Sequence, residues 1–334
     1  LCAGFKAFLT VHTEALKKKE KFQEADVANG GSGTWGIALG GGAARGWAHL
    51  GVLQTLEGAG LRPGVVCGTS IGAVVGAAYA AGNLERLVEW VCSLTKLEVA
   101  RFFELDFTLR RVVDTDRLRH FLAQYVASED LRMADLPVRF ATVATDMDSG
   151  REIWIKKGRV LDAVWASIAL PGLLPAIRHE GRWLVDGGLV NPVPVSVCRA
   201  LGAEVVAAVN LNADIVGKHA RRRKVGKSRQ NSLAAWITEY ARGVFSRRDE
   251  EDTPPSIFEA MAASVNIIQD RITRSRMAGD PPEVLLAPRL AHVGLMEFYR
   301  AAEAMEEGRR AALAGVDALR RFLAPGEEET SPRE

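Results

Sequence analysis

Val65-Val66-Cys67-Gly68-Thr69-Ser70-Ile71-Gly72-Ala73 is the stretch on which the reading of this chain turns. Val65 to Cys67 are small and apolar and read as the end of a buried strand. The run from Ile71 to Ala81 reads as a helix. Between them stands Gly-x-Ser-x-Gly. A sharp strand-to-helix turn there holds Ser70 with its hydroxyl exposed, the arrangement of a nucleophile elbow. Gly68 and Gly72 lack a Cβ, which lets strand and helix pass close together. The same letters also suit a glycine-rich loop whose serine merely caps a helix. Partners elsewhere in the chain must decide.

Upstream, Trp35 to Leu39 is a compact apolar run and reads as the first core strand. Gly40-Gly41-Gly42-Ala43-Ala44-Arg45-Gly46 follows, and then an apolar helix pattern through Val52, Leu53 and Leu56. Three readings compete for this loop. A dinucleotide site would place its next glycine at Arg45. A phosphate loop needs Lys where Trp47 stands. An oxyanion hole needs only backbone N–H donors at a helix start, with a nucleophile after the next strand. Ser70 is in that place.

Downstream, helix patterns occupy 84–94 and a stretch opening at Asp116. Strand patterns occupy 137–145 and 151–155, joined by Asp146-Met147-Asp148-Ser149-Gly150. The two aspartates lack the further oxygen ligands of a calcium loop and read as turn residues. Val160 to Ser167 is helical in pattern, and Leu170 to Pro175 forms a stiff apolar loop. Trp183 to Val185 reads as a short buried run, ending in Asp186-Gly187-Gly188. A carboxylate at a strand end, held by a glycine turn, is placed to reach across a cleft. A proline-led helix to Leu201 and a strand at Val205 to Val209 complete the alternation. Strand and helix alternating from 35 to 210 predict an α/β domain with a mostly parallel sheet.

The 334 residues carry a net charge of +2, which gives no global attraction to nucleic acid. Cys2, Cys67, Cys92 and Cys198 match neither a disulfide framework nor a zinc site, and Cys67 and Cys198 read as buried thiols. A reducing, cytoplasmic setting follows as the expectation. The chain begins with Leu1, so a targeting segment ahead of it stays open. Residues 1–33 read as a basic, helical extension, and 34–325 as one hydrolase-sized domain. Seven Lys or Arg between 217 and 229 read as a solvated loop or a peripheral contact with anionic lipid. No reading helix or aromatic platform accompanies them, which argues against nucleic acid. Two helical faces follow, Leu233 to Val244 and Phe258 to Ile272. The whole of 216–282 fits a lid, a membrane contact or a homodimer surface. A late strand at 284–287, a charged helix at 297–323 and a disordered tail at 326–334 close the chain.

Hydrolase elbows usually find a histidine. His49 precedes the elbow, and His120, His179, His219 and His292 follow it, none in a strand-end glycine context like that of Asp186. A Ser70–Asp186 pair is the economical reading, with the carboxylate acting as base. An ordinary carboxylate is a weak base, so partial desolvation must raise its pKa.

The ordered set Gly40 to Gly46, Gly68-Thr69-Ser70-Ile71-Gly72 and Asp186-Gly187-Gly188 resembles the patatin-like phospholipase family, in its bacterial RssA-like branch. Ala166 to Gly172, Leu189 to Pro194, Asp270 to Arg276 and Gly279 to Pro282 extend the resemblance over about 35–325. It implies a three-layer α/β/α fold and a Ser–Asp dyad, with Ser70 as nucleophile and Asp186 as base. It places the oxyanion donors on the N–H groups of Gly42 and Ala43. Ala43 departs from the glycine of many relatives, and still offers its N–H where its φ suits an L-residue. The implied reaction is lipid acyl-ester hydrolysis without metal or cofactor. The alternative is a lipid-binding or adaptor protein that keeps the fold without turnover.

Overall fold

The computed structural model describes residues 34–102, 113–215 and 257–324, with side chains in the last segment from 263 onward. The expected N-terminal extension, residues 103–112, the basic run 217–229, the helix at 233–244 and the tail lie outside the described residues.

Strand β1, Trp35–Leu39, is followed by a 3-10 turn at Ala43–Trp47 and helix α1, Ala48–Gly58. Strand β2, Val65–Thr69, runs into α2, Ile71–Ala80. Helices α3 (Leu84–Ser93), α4 (Lys96–Ala100) and α5 (Thr115–Tyr125) come next. Strands β3 (Arg139–Asp146) and β4 (Glu152–Ile155), helix α6 (Val160–Ile168), then β5 (Ile177–His179) and β6 (Arg182–Asp186) build the middle. Helix α7 (Val195–Ala200), β7 (Val205–Val209), α8 (Ile257–Gly279), β8 (Val284–Leu286) and α9 (Ala301–Leu323) complete the domain.

The strands form an eight-stranded sheet in the order β5-β6-β3-β2-β1-β7-β8, with β4 added on β3. The four pairings across β3-β2-β1-β7-β8 are parallel, whereas β4, β5 and β6 join antiparallel. The central strands are apolar on both faces because both faces are covered. Ile37, Leu39, Val66 and Phe140 point into the larger core with α1, α2, α3, α6 and α9. Ala38, Val65, Cys67 and Ala141 point the other way, against Val197 and Cys198 of α7. Period-two alternation on a doubly covered sheet gives the three-layer α/β/α architecture. The thiols of Cys67 and Cys198 are buried and unbridged, as expected.

Several expectations shift on contact with the structure. Asp114, not Asp116, caps α5, its carboxylate accepting the N–H groups of Asp116 and Arg117. Trp183 is 46% exposed, so the run before Asp186 is buried only from Leu184. Helix α8 carries Val265, Ile268 and Ile272 along one face but packs on the domain with another: Ile268 is exposed, whereas Gln269, Asp270 and Thr273 are buried. The reason is the surface beneath. Arg45 and Asn212 lie there, and they require hydrogen-bonding partners once buried. Asn266 accepts from Arg45 at 2.9 Å, and Gln269 accepts from Asn212 at 3.2 Å.

Candidate active site

Ser70 sits at the junction of β2 and α2 with φ 56 and ψ −125. An L-residue is strained there, by about 1–3 kcal/mol, and persists only where its surroundings hold it. Glycine on either side makes the turn feasible. A Cβ on Gly68 would stand 2.3 Å from the Gly72 carbonyl oxygen, and one on Gly72 would stand 2.1 Å from that of Leu39. The Ser70 N–H donates to Ser167 Oγ at 2.9 Å, and the Ser167 hydroxyl donates to the Val143 carbonyl at 2.7 Å. Thr69 donates its hydroxyl to the Asn191 carbonyl at 2.8 Å. The elbow is thus tied to α6, to β3 and to the segment after β6.

Asp186 ends β6. Its N–H donates to the Ala169 carbonyl at 3.0 Å, and its carbonyl accepts the Thr145 hydroxyl at 2.8 Å. Gly187 lies so close to β3 that a Cβ would stand 2.2 Å from the Val143 oxygen. The carboxylate is turned inward. Oδ1 accepts the Gly188 N–H at 2.7 Å, and Oδ2 accepts the Ser70 hydroxyl at 2.5 Å. Asp186 is only 1% exposed. Burial pushes its pKa up from 3.8 to about 6, against the smaller opposing effect of the Ser70 and Gly188 hydrogen bonds. The desolvation that a carboxylate base requires is therefore present.

In the glycine loop, Gly40 and Gly41 donate their N–H groups to Val209 and Pro192, and Ala44 donates to Leu295. Arg45 donates to Gly42. Among the described residues, the N–H groups of Gly42 and Ala43 have no such acceptor. The Gly42 carbonyl is held by both the N–H and the Nε of Arg45, at 3.2 and 3.3 Å. In a planar trans peptide the next N–H points the opposite way. Arg45 therefore orients the Ala43 N–H, a role that its place in a motif did not disclose. Its guanidinium is buried, which lowers its pKa to about 10, while Asp214 acts in the other direction. Ala43 itself has φ 50. The condition on its backbone is not met in the ordinary L-region, and Ala43 is a second strained residue beside Ser70.

Ser70 opens on a cavity of about 170 Å³ whose walls are almost wholly apolar, among them Trp47, Val74, Phe121, Leu174 and Phe298. Phe102 and the loop leucines at 170–174 line it too, so the stiff apolar loop reaches the site. A second cavity, of about 290 Å³, is lined by Asn191, Ser196 and Arg276 and includes neither Ser70 nor Asp186.

The described histidines lie elsewhere. His49 is buried, with Nε2 2.8 Å from the Gly40 carbonyl, and burial lowers its pKa to about 4. His179 is on β5, His120 is exposed on α5, and His292 lies 3.7 Å from Glu303. His219 is outside the described residues. No described histidine hydrogen-bonds Ser70 or Asp186. Sequence reasoning missed Ser167, a lone serine in a helix whose only signal was the quoted stretch Ala166 to Gly172. The described residues contain no cluster of potential metal ligands, and none of their helices is long and apolar enough to cross a membrane.

Comparison with known proteins follows the same residues. Residues 37–199 match the family model described as patatin-like phospholipase. An uncharacterized NTE family protein of Mycobacterium tuberculosis H37Rv is 28% identical, over 85% of this chain and 91% of that protein. A lysophospholipase, nte1, of Emericella nidulans is 33% identical over 53% of this chain, a match that spans only 12% of that far longer protein. Among solved structures, VipD from Legionella pneumophila superposes with a TM-score of 0.43 and 12% identity, covering 85% of this chain and 67% of that one.

Proposed function

We propose that this chain, which carries a patatin-like phospholipase domain at residues 37–199, is a serine hydrolase of lipid acyl esters. The observation that carries the reading is the 2.5 Å hydrogen bond from Ser70 to Asp186 at the mouth of an apolar cavity. Asp186 accepts the Ser70 proton as Oγ attacks the ester carbonyl carbon. Negative charge then develops on the carbonyl oxygen, and the N–H groups of Gly42 and Ala43 receive it. When the tetrahedral intermediate collapses, the C–O bond to the alcohol breaks and Asp186 returns the proton to that oxygen. The acyl group is left on Ser70. Water attacks this second ester, giving its proton to Asp186. Collapse releases the fatty acid, and the proton returns to Ser70 Oγ. A pKa near 6 leaves Asp186 mostly ionised at neutral pH, yet more basic than an ordinary carboxylate.

The apolar walls suit the acyl chain, and a headgroup would remain toward solvent. The substrate class is a phospholipid or lysophospholipid acyl ester, a reading in line with the lysophospholipase among the relatives. Peripheral contact with anionic headgroups through the basic run 217–229 belongs to the same reading. The test is turnover of lysophosphatidylcholine by the wild type and by Ser70→Ala, with thermal unfolding on the same preparations. Loss of turnover in a folded variant is expected. Retained turnover would overturn the nucleophile assignment. A lipid-binding protein without turnover would fail to label with a fluorophosphonate.

A further inference from the structure

Helix α8 lies beyond residue 199, where the family match ends, yet it reaches the Asp186 segment directly. Arg276 uses its guanidinium fork twice. Nη2 donates to Glu152 Oε2 at 2.6 Å, and Nε donates to the Val190 carbonyl at 2.8 Å. Glu152 Oε1 accepts the Asn191 side-chain amide at 2.6 Å and the Trp154 indole N–H at 2.6 Å. A carboxylate only accepts, so the Asn191 nitrogen must face it. Asn191 closes the circuit at both ends of the site. Its N–H donates to the Gly187 carbonyl at 2.9 Å, and its carbonyl holds the hydroxyl of Thr69, next to Ser70, at 2.8 Å.

From this geometry we infer that Glu152 and Arg276 are positioning residues: they clamp segment 186–191 onto the elbow and so set the Ser70–Asp186 distance. The inference rests on the hydrolase reading above. Neither residue touches the reacting atoms. Their effect passes through Asn191 and Val190, which sit at the end of the glycine turn that aims the carboxylate. A base misplaced by about 1 Å can cost on the order of 100-fold in rate. Arg is suited to the task because its planar fork fixes two directions at once, which a lysine ammonium cannot do. Partial burial shields the pair from competing water, the Glu152 side chain being 16% exposed and that of Arg276 38%. The segments joined are 124 residues apart in sequence.

The test compares Arg276→Gln, Arg276→Lys, Glu152→Gln and the double Glu152→Gln/Arg276→Gln variant with the wild type, on an octanoyl ester. Active sites are titrated with a fluorophosphonate, so that kcat refers only to competent enzyme. The double variant leaves no unpaired charge, which guards against misfolding. Arg276→Gln should lower kcat about 10- to 100-fold with KM within about twofold. Arg276→Lys should fall between it and the wild type. The double variant should be no worse than the poorer single, because the residues act as one unit. A merely structural role would lower the unfolding temperature and leave kcat per titrated site unchanged, and that result overturns the clamp. If folded variants hold kcat within twofold while the wild type hydrolyses and Ser70→Ala does not, the clamp falls and the hydrolase reading stands. If the wild type itself gives no Ser70-dependent turnover, both fall.

Discussion

Ser70 Oγ and Asp186 Oδ2 meet at 2.5 Å although 116 residues separate them in the chain. The partners of each explain how. Ser167 and Val143 fix the Ser70 backbone, and Gly188 holds the other carboxylate oxygen. The pair is therefore a product of the sheet, in which β2 and β6 both flank β3.

The first prediction is the pH dependence. In the proposed mechanism the reactive form has Asp186 ionised, so kcat/KM should rise about tenfold per pH unit below about 6 and level off above it. A rate flat between pH 5 and 8 would reject Asp186 as the base. Stability moves the other way. Between about pH 4 and 6 the folded protein holds a proton that the unfolded chain has lost, so this group's contribution falls as pH rises through about 6. The resulting penalty at neutral pH is about 3 kcal/mol. His49 opposes it, because its lowered pKa makes stability fall as pH drops from 6.5 toward about 4. The wild-type curve mixes the two, but a variant isolates one. Asp186→Asn should be inactive and, at pH 8, more stable than wild type by up to about 3 kcal/mol, with the gap closing near pH 4. Urea unfolding at the two pH values checks this. An Asn variant no more stable at pH 8 would show that the charge is not desolvated.

The second concerns the oxyanion loop. Ala43 has φ 50, where an L-residue costs about 1–2 kcal/mol and glycine does not. Ala43→Gly should keep its activity and gain about 1 kcal/mol in stability. Ala43→Pro removes the N–H and forbids the positive φ, and should lose about 100- to 1,000-fold in kcat. Kinetics and denaturation on both variants decide. Activity surviving in the proline variant would exclude that donor.

The third concerns acyl-chain length. Val74 lines the apolar cavity and lies one helical turn from Ser70, about 6 Å along α2. Each methylene buried contributes about 0.8 kcal/mol, near a fourfold gain in kcat/KM. On p-nitrophenyl esters, kcat/KM should climb from acetate to octanoate in the wild type. Val74→Phe should flatten that climb by more than tenfold at octanoate and leave acetate within about threefold. An unchanged profile would move the acyl chain out of this cavity.

Some of this molecule is written locally. The elbow, the glycine loop and the Asp186-Gly187-Gly188 turn are legible because each needs particular residues at fixed spacing, and a strand or helix of a few residues reveals its buried face. The first strands and the helix after the elbow fall within a residue or so of their expected bounds, since apolar periodicity and glycine punctuation are short-range signals. Ser70 and Asp186 stood out for the same reason, each occupying a turn that few sequences produce.

The tertiary structure decided what depends on neighbours remote in sequence. Helix α8 shows apolar spacing, but it buries a polar stripe because Arg45, Asn212 and Glu152 await it there. His49 gives no sign of its surroundings in the sequence and is a buried neutral group, bonded to the Gly40 carbonyl. Ser167 is an unremarked helical serine until β3 and the elbow arrive on either side of it. Asp186 is a strand-end carboxylate in the sequence, and only the packing that removes it from water raises its pKa. Spacing along a chain determines local conformation, whereas desolvation and hydrogen-bond partnership belong to the assembled fold.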